Sequence, residues 1–179
     1  MVFYLTSLIS AHYLNNTNRE SDKMKLSTLC YLEKDNCYLL LHRTKRENDE
    51  NKDKWIGIGG KFEENESPDE CIRREVKEET GLELKSYKFC GIVTFVSEKW
   101  QTEYMHLFKS SDFVGKITEC NEGVLEWIDK SKIKDLPIWE GDKIFLELIN
   151  SDHPFFSLKL MYDKNDALIS AFLDGKKLL

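Results

Sequence analysis

The sequence predicts an α/β (α+β) fold, a mixed central sheet with helices on its faces, and three observations predict it. Strand-like runs rich in β-branched and aromatic residues recur along most of the chain, only two segments carry helical spacing, and no stretch repeats or separates as a second domain. One layered core is the expectation.

The first element is a hairpin, Leu26 to Leu32 and Cys37 to Arg43, turned at Asp35-Asn36, residues that accept the left-handed conformation of tight turns. A charged loop runs from Arg43 to Lys54, followed by a short glycine-rich stretch from Trp55 to Gly60. Ser67-Pro68-Asp69-Glu70 has the marks of a helix start: a capping serine, proline in the first turn, and a glutamate three residues after the serine. Gly81 closes that helix. Strands are expected at Tyr87 to Val96, Glu103 to Lys109 and Val124 to Ile128, and a second helix over Asp142 to Ile149. Phe155 to Tyr162 and Ala167 to Leu173 flank Asp163-Lys164-Asn165-Asp166 as a closing hairpin.

Composition bounds the function. The apolar fraction is 41% and the charged fraction 32%, which excludes a disordered chain and a membrane protein. With 26 Lys and Arg against 32 Asp and Glu the net charge is −6, the wrong sign for a stable nucleic-acid partner. Five cysteines, odd in number and without a Cys-x-x-Cys pair, read as reduced thiols in a cytoplasmic protein. Residues 1–23 read as a leader or extension ahead of a domain over 24–179.

The chemistry lies in the first helix. Glu75, Glu78 and Glu79 stand at i, i+3 and i+4, which puts three carboxylates on one face. At ~5 Å and an effective dielectric of ~20, each pair repels by roughly 3 kcal/mol when partly buried, so the face is either solvated or neutralised by cations. Oxygen ligands of this kind suit Mg2+ or Mn2+ better than zinc. The bland alternative is a solvated Glu-rich helix.

The surrounding spacing decides between them. Gly60, five residues, Glu66, seven residues, then Arg74-Glu75-Val76-Lys77-Glu78-Glu79-Thr80-Gly81-Leu82 fills every defined position of the Nudix box. Seven fixed residue types at ~7% each coincide on the order of once in 10^8 windows. The chain resembles the Nudix hydrolases, in particular the MutT-like branch that acts on oxidised purine nucleoside triphosphates. The likeness extends through Trp55-Ile56-Gly57-Ile58-Gly59-Gly60-Lys61, Trp127, the Trp139 segment and the final hairpin.

The resemblance implies an α/β/α sandwich with the box as loop, helix and loop, and hydrolysis of a nucleotide phosphoanhydride with Mg2+ or Mn2+. It assigns Glu75, Glu78 and Glu79 to the metal, with the Gly59 carbonyl completing the coordination. Arg74 orients the acidic cluster and Glu66 partners Arg74. A further carboxylate comes from a later loop, and Glu122, five residues before Trp127, occupies that position, with Glu119 and Glu126 as rivals. Glu79 and Glu122 are both candidates for the base.

The rest of the substrate leaves a fainter trace. Lys61 is the first candidate to meet phosphates, followed by His42, Arg43, Lys45 and Arg46. In Trp139-Glu140-Gly141-Asp142 the indole can stack on a purine and Asp142 can bond its edge; equally, Trp139 covers the core and Asp142 caps a helix beginning at Lys143. Phe95, Phe155 and Phe156 are candidate pocket walls. Two residues depart from the oxidised-purine pattern: Ile56 stands where an asparagine follows the Trp of the glycine stretch, and Gly141 replaces the first of two aspartates. Other nucleotide substrates, and a nucleotide-sensing domain without catalysis, are the competing expectations.

Overall fold

The computed structural model describes residues 24–45 and 49–179. The expected leader, 1–23, and Arg46 lie outside the described residues.

Strands β1 (Lys25–Lys34) and β2 (Cys37–Arg43) form the predicted hairpin, with Asp35 and Asn36 both at positive φ, 51° and 63°. They pair only near the turn, from Leu32 opposite Leu39 to Lys34 opposite Cys37. Beyond that point they part. On one edge β1 runs parallel to β5 (Glu103–Val114), from Lys25 opposite Glu103 to Leu32 opposite Ser110. On its other edge it takes the glycine-rich run: Cys30 and Ile58 exchange backbone hydrogen bonds of 2.6 and 2.9 Å, and the Thr28 N–H donates to the Gly60 carbonyl at 2.8 Å. The strand thus clamps the start of the acidic loop along its length.

Elsewhere β2 pairs with the short β3 (Trp55–Ile56) and, along its whole length, with β6 (Gly123–Asp129). The sheet continues from β5 to antiparallel β4 (Glu83–Ser97), then parallel β7 (Phe156–Tyr162), β8 (Leu168–Leu173) and the two-residue β9 (Lys176–Lys177). Strands β4 and β5 are longer than the sequence predicts. Their distal halves form a ribbon with register shifts near Leu84 and Ser86, where exposed Glu83, Lys85 and Ser86 dilute the apolar signal.

Period-two alternation divides the core into two layers. Cys30, Leu32, Leu39 and Leu41 face one way and pack with Ile72 and Val76 of helix α1 (Pro68–Thr80). Tyr31, Tyr38 and Leu40 face the other way and pack with Phe145, Leu146 and Ile149 of helix α2 (Glu140–Asn150). The result is the α/β/α sandwich. All five cysteines are free, and among the described residues no helix is long and apolar enough to cross a membrane.

The two helix starts differ. At α1 the Glu70 carboxylate accepts the Ser67 N–H at 2.8 Å and Ser67 Oγ accepts the Glu70 N–H at 3.3 Å, the capping box expected there, and Gly81 ends the helix at φ 76°. At α2 the expected cap is corrected: Trp139 holds the N-cap position and Asp142 is already inside the first turn. The Asp142 N–H donates to the Trp139 carbonyl at 3.0 Å, which closes this first turn.

Candidate active site

Clamping the glycine run against β1 brings it under the exposed edge of α1. Gly60 is held so close that a Cβ there would stand 2.4 to 2.6 Å from the carboxyl group of Glu75. Any other residue would displace the Glu75 carboxyl from its place. One residue earlier, the Gly59 N–H donates to Glu79 Oε2 at 3.0 Å. Glu79 is 7% exposed, and burial, with the charges of Glu122 and Glu75, pushes its carboxyl up to about 8 against the pull of the Gly59 N–H and Arg43.

Arg74 organises the rest. Its Nε and Nη2 grip both oxygens of Glu66 at 2.7 and 2.9 Å, and its Nη1 donates to Glu75 at 2.7 Å and Glu78 at 3.2 Å. Its Nη2 also reaches the Lys61 carbonyl at 3.1 Å, tying the helix to the loop. The arginine holds the Glu66 carboxyl at about 2. Burial raises Glu75, with Arg74 opposing and Glu78 and Glu122 adding to the rise. On the facing wall Glu122 is ion-paired with Arg43, whose guanidinium also binds Asp49 at 2.6 Å.

These groups form one end of a cleft of about 550 Å³. Gly59, Lys61, Arg74, Glu75, Glu79 and Glu122 line it; Glu78 is an exposed group at the rim, and Glu66 stands behind Arg74. The rivals Glu119 and Glu126 do not reach the cleft. Of the candidate phosphate cations, Arg43 lines the wall, Lys45 turns away to the Cys120 carbonyl at 2.7 Å, and His42 stacks on Trp55.

Trp139 and Asp142 line the other end of the same cleft, with Ile56, Phe95 and Leu160. Trp139 is both wall and core: its ring meets Phe95 and Tyr162 edge-on at 5.4 and 5.1 Å, and its indole N–H donates to Asn51 Oδ1 at 2.8 Å. Asp142 is buried, and desolvation pushes its carboxyl up to about 8, with Lys54 and the Trp139 N–H opposing. Gly141 is glycine because the Tyr162 hydroxyl, which accepts the Gly141 N–H at 2.8 Å, and Leu160 fill the space of a side chain. Of the three candidate phenylalanines only Phe95 walls the cleft; Phe156 lies in the core and Phe155 is 55% exposed.

Sequence reasoning passed over Ser27, Asn51 and Glu103, which also line the cleft. The signal was there for two of them. Ser27 and Glu103 stand at the inward positions of strands whose next inward residues are Leu29 and Tyr31, and Met105 and Leu107.

Among the described residues, no three or more His, Cys, Asp or Glu side chains are gathered into a ready-made ion cage. Their oxygens are instead shared out to Arg74, Arg43 and the Gly59 N–H. The donor set is nevertheless all oxygen, and Glu79 is raised partly by like charges that a hard divalent cation would offset. On both grounds the residues fit such an ion.

The acidic end is thus a loop-helix-loop that presents carboxylates to a cleft beside a mixed sheet. The model of the NUDIX domain matches residues 24–149, and the chain belongs to the Nudix family. It is a Nudix hydrolase. It is 29% identical over 155 residues to the Nudix hydrolase YvcI of Bacillus subtilis (strain 168), covering 82% of this chain and 92% of that one. It is 28% identical over 123 residues to the oxidized purine nucleoside triphosphate hydrolase of Danio rerio, covering 68% and 78%. The MutT protein of Bacillus halodurans has a similar structure, with a TM-score of 0.74, 28% identity, and coverage of 85% and 99%.

Proposed function

We propose that the protein is a Mg2+-dependent (or Mn2+-dependent) pyrophosphohydrolase of oxidised purine nucleoside triphosphates, 8-oxo-dGTP being the type substrate, which it converts to monophosphate and pyrophosphate. One observation carries the reading: a single cleft joins the acidic end, Glu75, Glu79 and Glu122, to an aromatic end where Trp139 and Asp142 stand together. The similarity to an oxidized purine nucleoside triphosphate hydrolase supports it. Removal of mutagenic nucleotides from the pool is the role that follows, and five free thiols suit a cytoplasmic setting.

Glu75, Glu78, Glu79, Glu122 and the Gly59 carbonyl would hold the metal. When bound, it neutralises charge on the phosphates and lowers the pKa of the attacking water. Arg74 keeps Glu75 and Glu78 aimed at the cleft, with Glu66 fixing the arginine. A proton leaving the water passes to a carboxylate on the cleft wall, Glu79 or Glu122. Lys61, on the loop beside Gly60, meets the phosphate chain, while Trp139 and Asp142 bind the base.

Turnover with Mg2+ tests the reading across 8-oxo-dGTP, the four normal deoxynucleoside triphosphates, a nucleotide sugar and a dinucleoside polyphosphate. The expected result is highest kcat/KM for 8-oxo-dGTP with pyrophosphate released. Preference for another member of the panel reassigns the substrate and points to Ile56 and Gly141 as the reason.

A further inference from the structure

The cleft has a second polar wall. Four adjacent strands lay a row of side chains along its floor: Lys25 of β1 pairs with Glu103 of β5, Glu103 with Phe95 of β4, and Phe95 with Leu160 of β7. Paired residues share a face of a sheet, and all four line the cleft. Ser27, two residues along β1 and opposite Met105, lines it as well. A carboxyl and a hydroxyl are thus placed on this face beside Lys25, Phe95, Met105 and Leu160. Ser27 Oγ is buried without a hydrogen bond of good geometry, yet the hydroxyl lies against the Glu103 carboxyl and counters part of the rise that burial gives it. Lys25 and Lys61 also favour the ionised form, and Glu50 opposes it.

The spacing of this row suits a flat ligand. Strands β5 and β7 are two steps of about 4.8 Å apart, so Glu103 and Leu160 stand roughly 10 Å from each other. Asp142 is at the Leu160 end, because Gly141 beside it abuts Leu160 and Tyr162. A bicyclic base with a hydrogen bond of about 2.9 Å at each edge spans that distance. Phe95 lies midway, its ring 5.4 Å from that of Trp139.

We propose that Glu103 and Ser27 read the imidazole edge of a purine oxidised at C8, Glu103 accepting the N7–H and the Ser27 hydroxyl donating to the C8 carbonyl oxygen, while Asp142 faces the opposite edge. This rests on the reading of the protein as an oxidised-purine triphosphatase and names the atoms that separate oxidised bases from intact ones. An intact purine turns the N7 lone pair toward Glu103 and a C8–H toward Ser27, so both polar groups go unmatched. Sites that leave buried polar groups unpaired reject the wrong ligand strongly. Because 8-oxoguanine and 8-oxoadenine share this edge, the pair accepts both.

The test compares wild type, Glu103→Leu, Glu103→Gln and Ser27→Ala in two measurements. The first is kcat/KM for 8-oxo-dGTP against dGTP and for 8-oxo-dATP against dATP; the second is calorimetric affinity for 8-oxo-dGMP against dGMP. Glu103→Leu is expected to lower both oxidised-to-intact turnover ratios and the affinity ratio at least about tenfold. Glu103→Gln, which keeps one carbonyl acceptor, and Ser27→Ala should lower them less. If wild type prefers the oxidised nucleotides and Glu103→Leu keeps the preference, the edge assignment is overturned while the proposed function stands. If wild type neither turns over nor binds oxidised purines in preference to intact ones, both are overturned.

Discussion

Glu79 and Asp142 sit at opposite ends of one cleft, both buried and both with carboxyls pushed up to about 8, yet their charged neighbours differ. Burial comes first for each, but Glu79 is also raised by Glu122 and Glu75, whereas only opposing influences accompany burial at Asp142, from Lys54 and the Trp139 N–H. Both carboxyls lack water, and Glu79 also faces like charges. On the proposed function a divalent ion would stabilise ionised Glu79 and do little for Asp142, while a ligand that offers a hydrogen-bonding edge would use a protonated Asp142. On that reading, the same perturbation would belong to a metal ligand at one end and a base-reading group at the other.

The largest expected effect separates their roles. Glu79→Gln should lower kcat by about 10^3-fold while circular dichroism shows an intact fold, the scale of loss when a positioned acid-base or metal-binding group is removed. Asp142→Asn should act mainly on KM and on the choice of base, with kcat within about tenfold of wild type. Equal kcat losses in both variants would abolish the contrast. A smaller effect concerns the ion itself: saturating Mg2+ should stabilise wild type and Asp142→Asn by about 1 to 3 kcal/mol in thermal melts, and leave Glu79→Gln nearly unmoved.

The two ends also differ in how far the sequence reveals them. From Gly60 to Leu82 the acidic end is one contiguous segment, and its geometry is local: helical spacing aligns Glu75 with Glu79, and the capping box and Gly81 fix the helix ends. Only the facing Glu122, brought in by the pairing of β6 with β2, needed the fold to separate it from Glu119 and Glu126. The aromatic end is assembled from segments distant in sequence. Glu103 meets Phe95 through strand pairing, and Ser27 meets Glu103 through a parallel register that no local pattern specifies. Asp142 was legible with two readings, base contact or helix cap, and the cap reading fails because Trp139 holds the N-cap position. The strands and both helices were legible from alternation and helical spacing; the partners across the cleft were not.

The smallest effect is a slope. A carboxyl whose folded-state pKa exceeds its unfolded value binds more protons in the folded protein, so its contribution to stability is fully present below the unfolded value and is lost as pH rises through the folded one. For Asp142 and Glu79 that window runs from about 4, the ordinary carboxylate range, up to about 8. Metal-free wild type should accordingly lose stability toward pH 8, by at most about 1.4 kcal/mol per pH unit for each group. Asp142→Asn and Glu79→Gln should each flatten the curve, and urea titrations at pH 5, 6, 7 and 8 measure it. Mg2+ then sharpens the comparison: with the ion bound, the Glu79 share of the slope should vanish and the Asp142 share persist. A slope unchanged by Mg2+ in Asp142→Asn would mean that the ion does not reach Glu79.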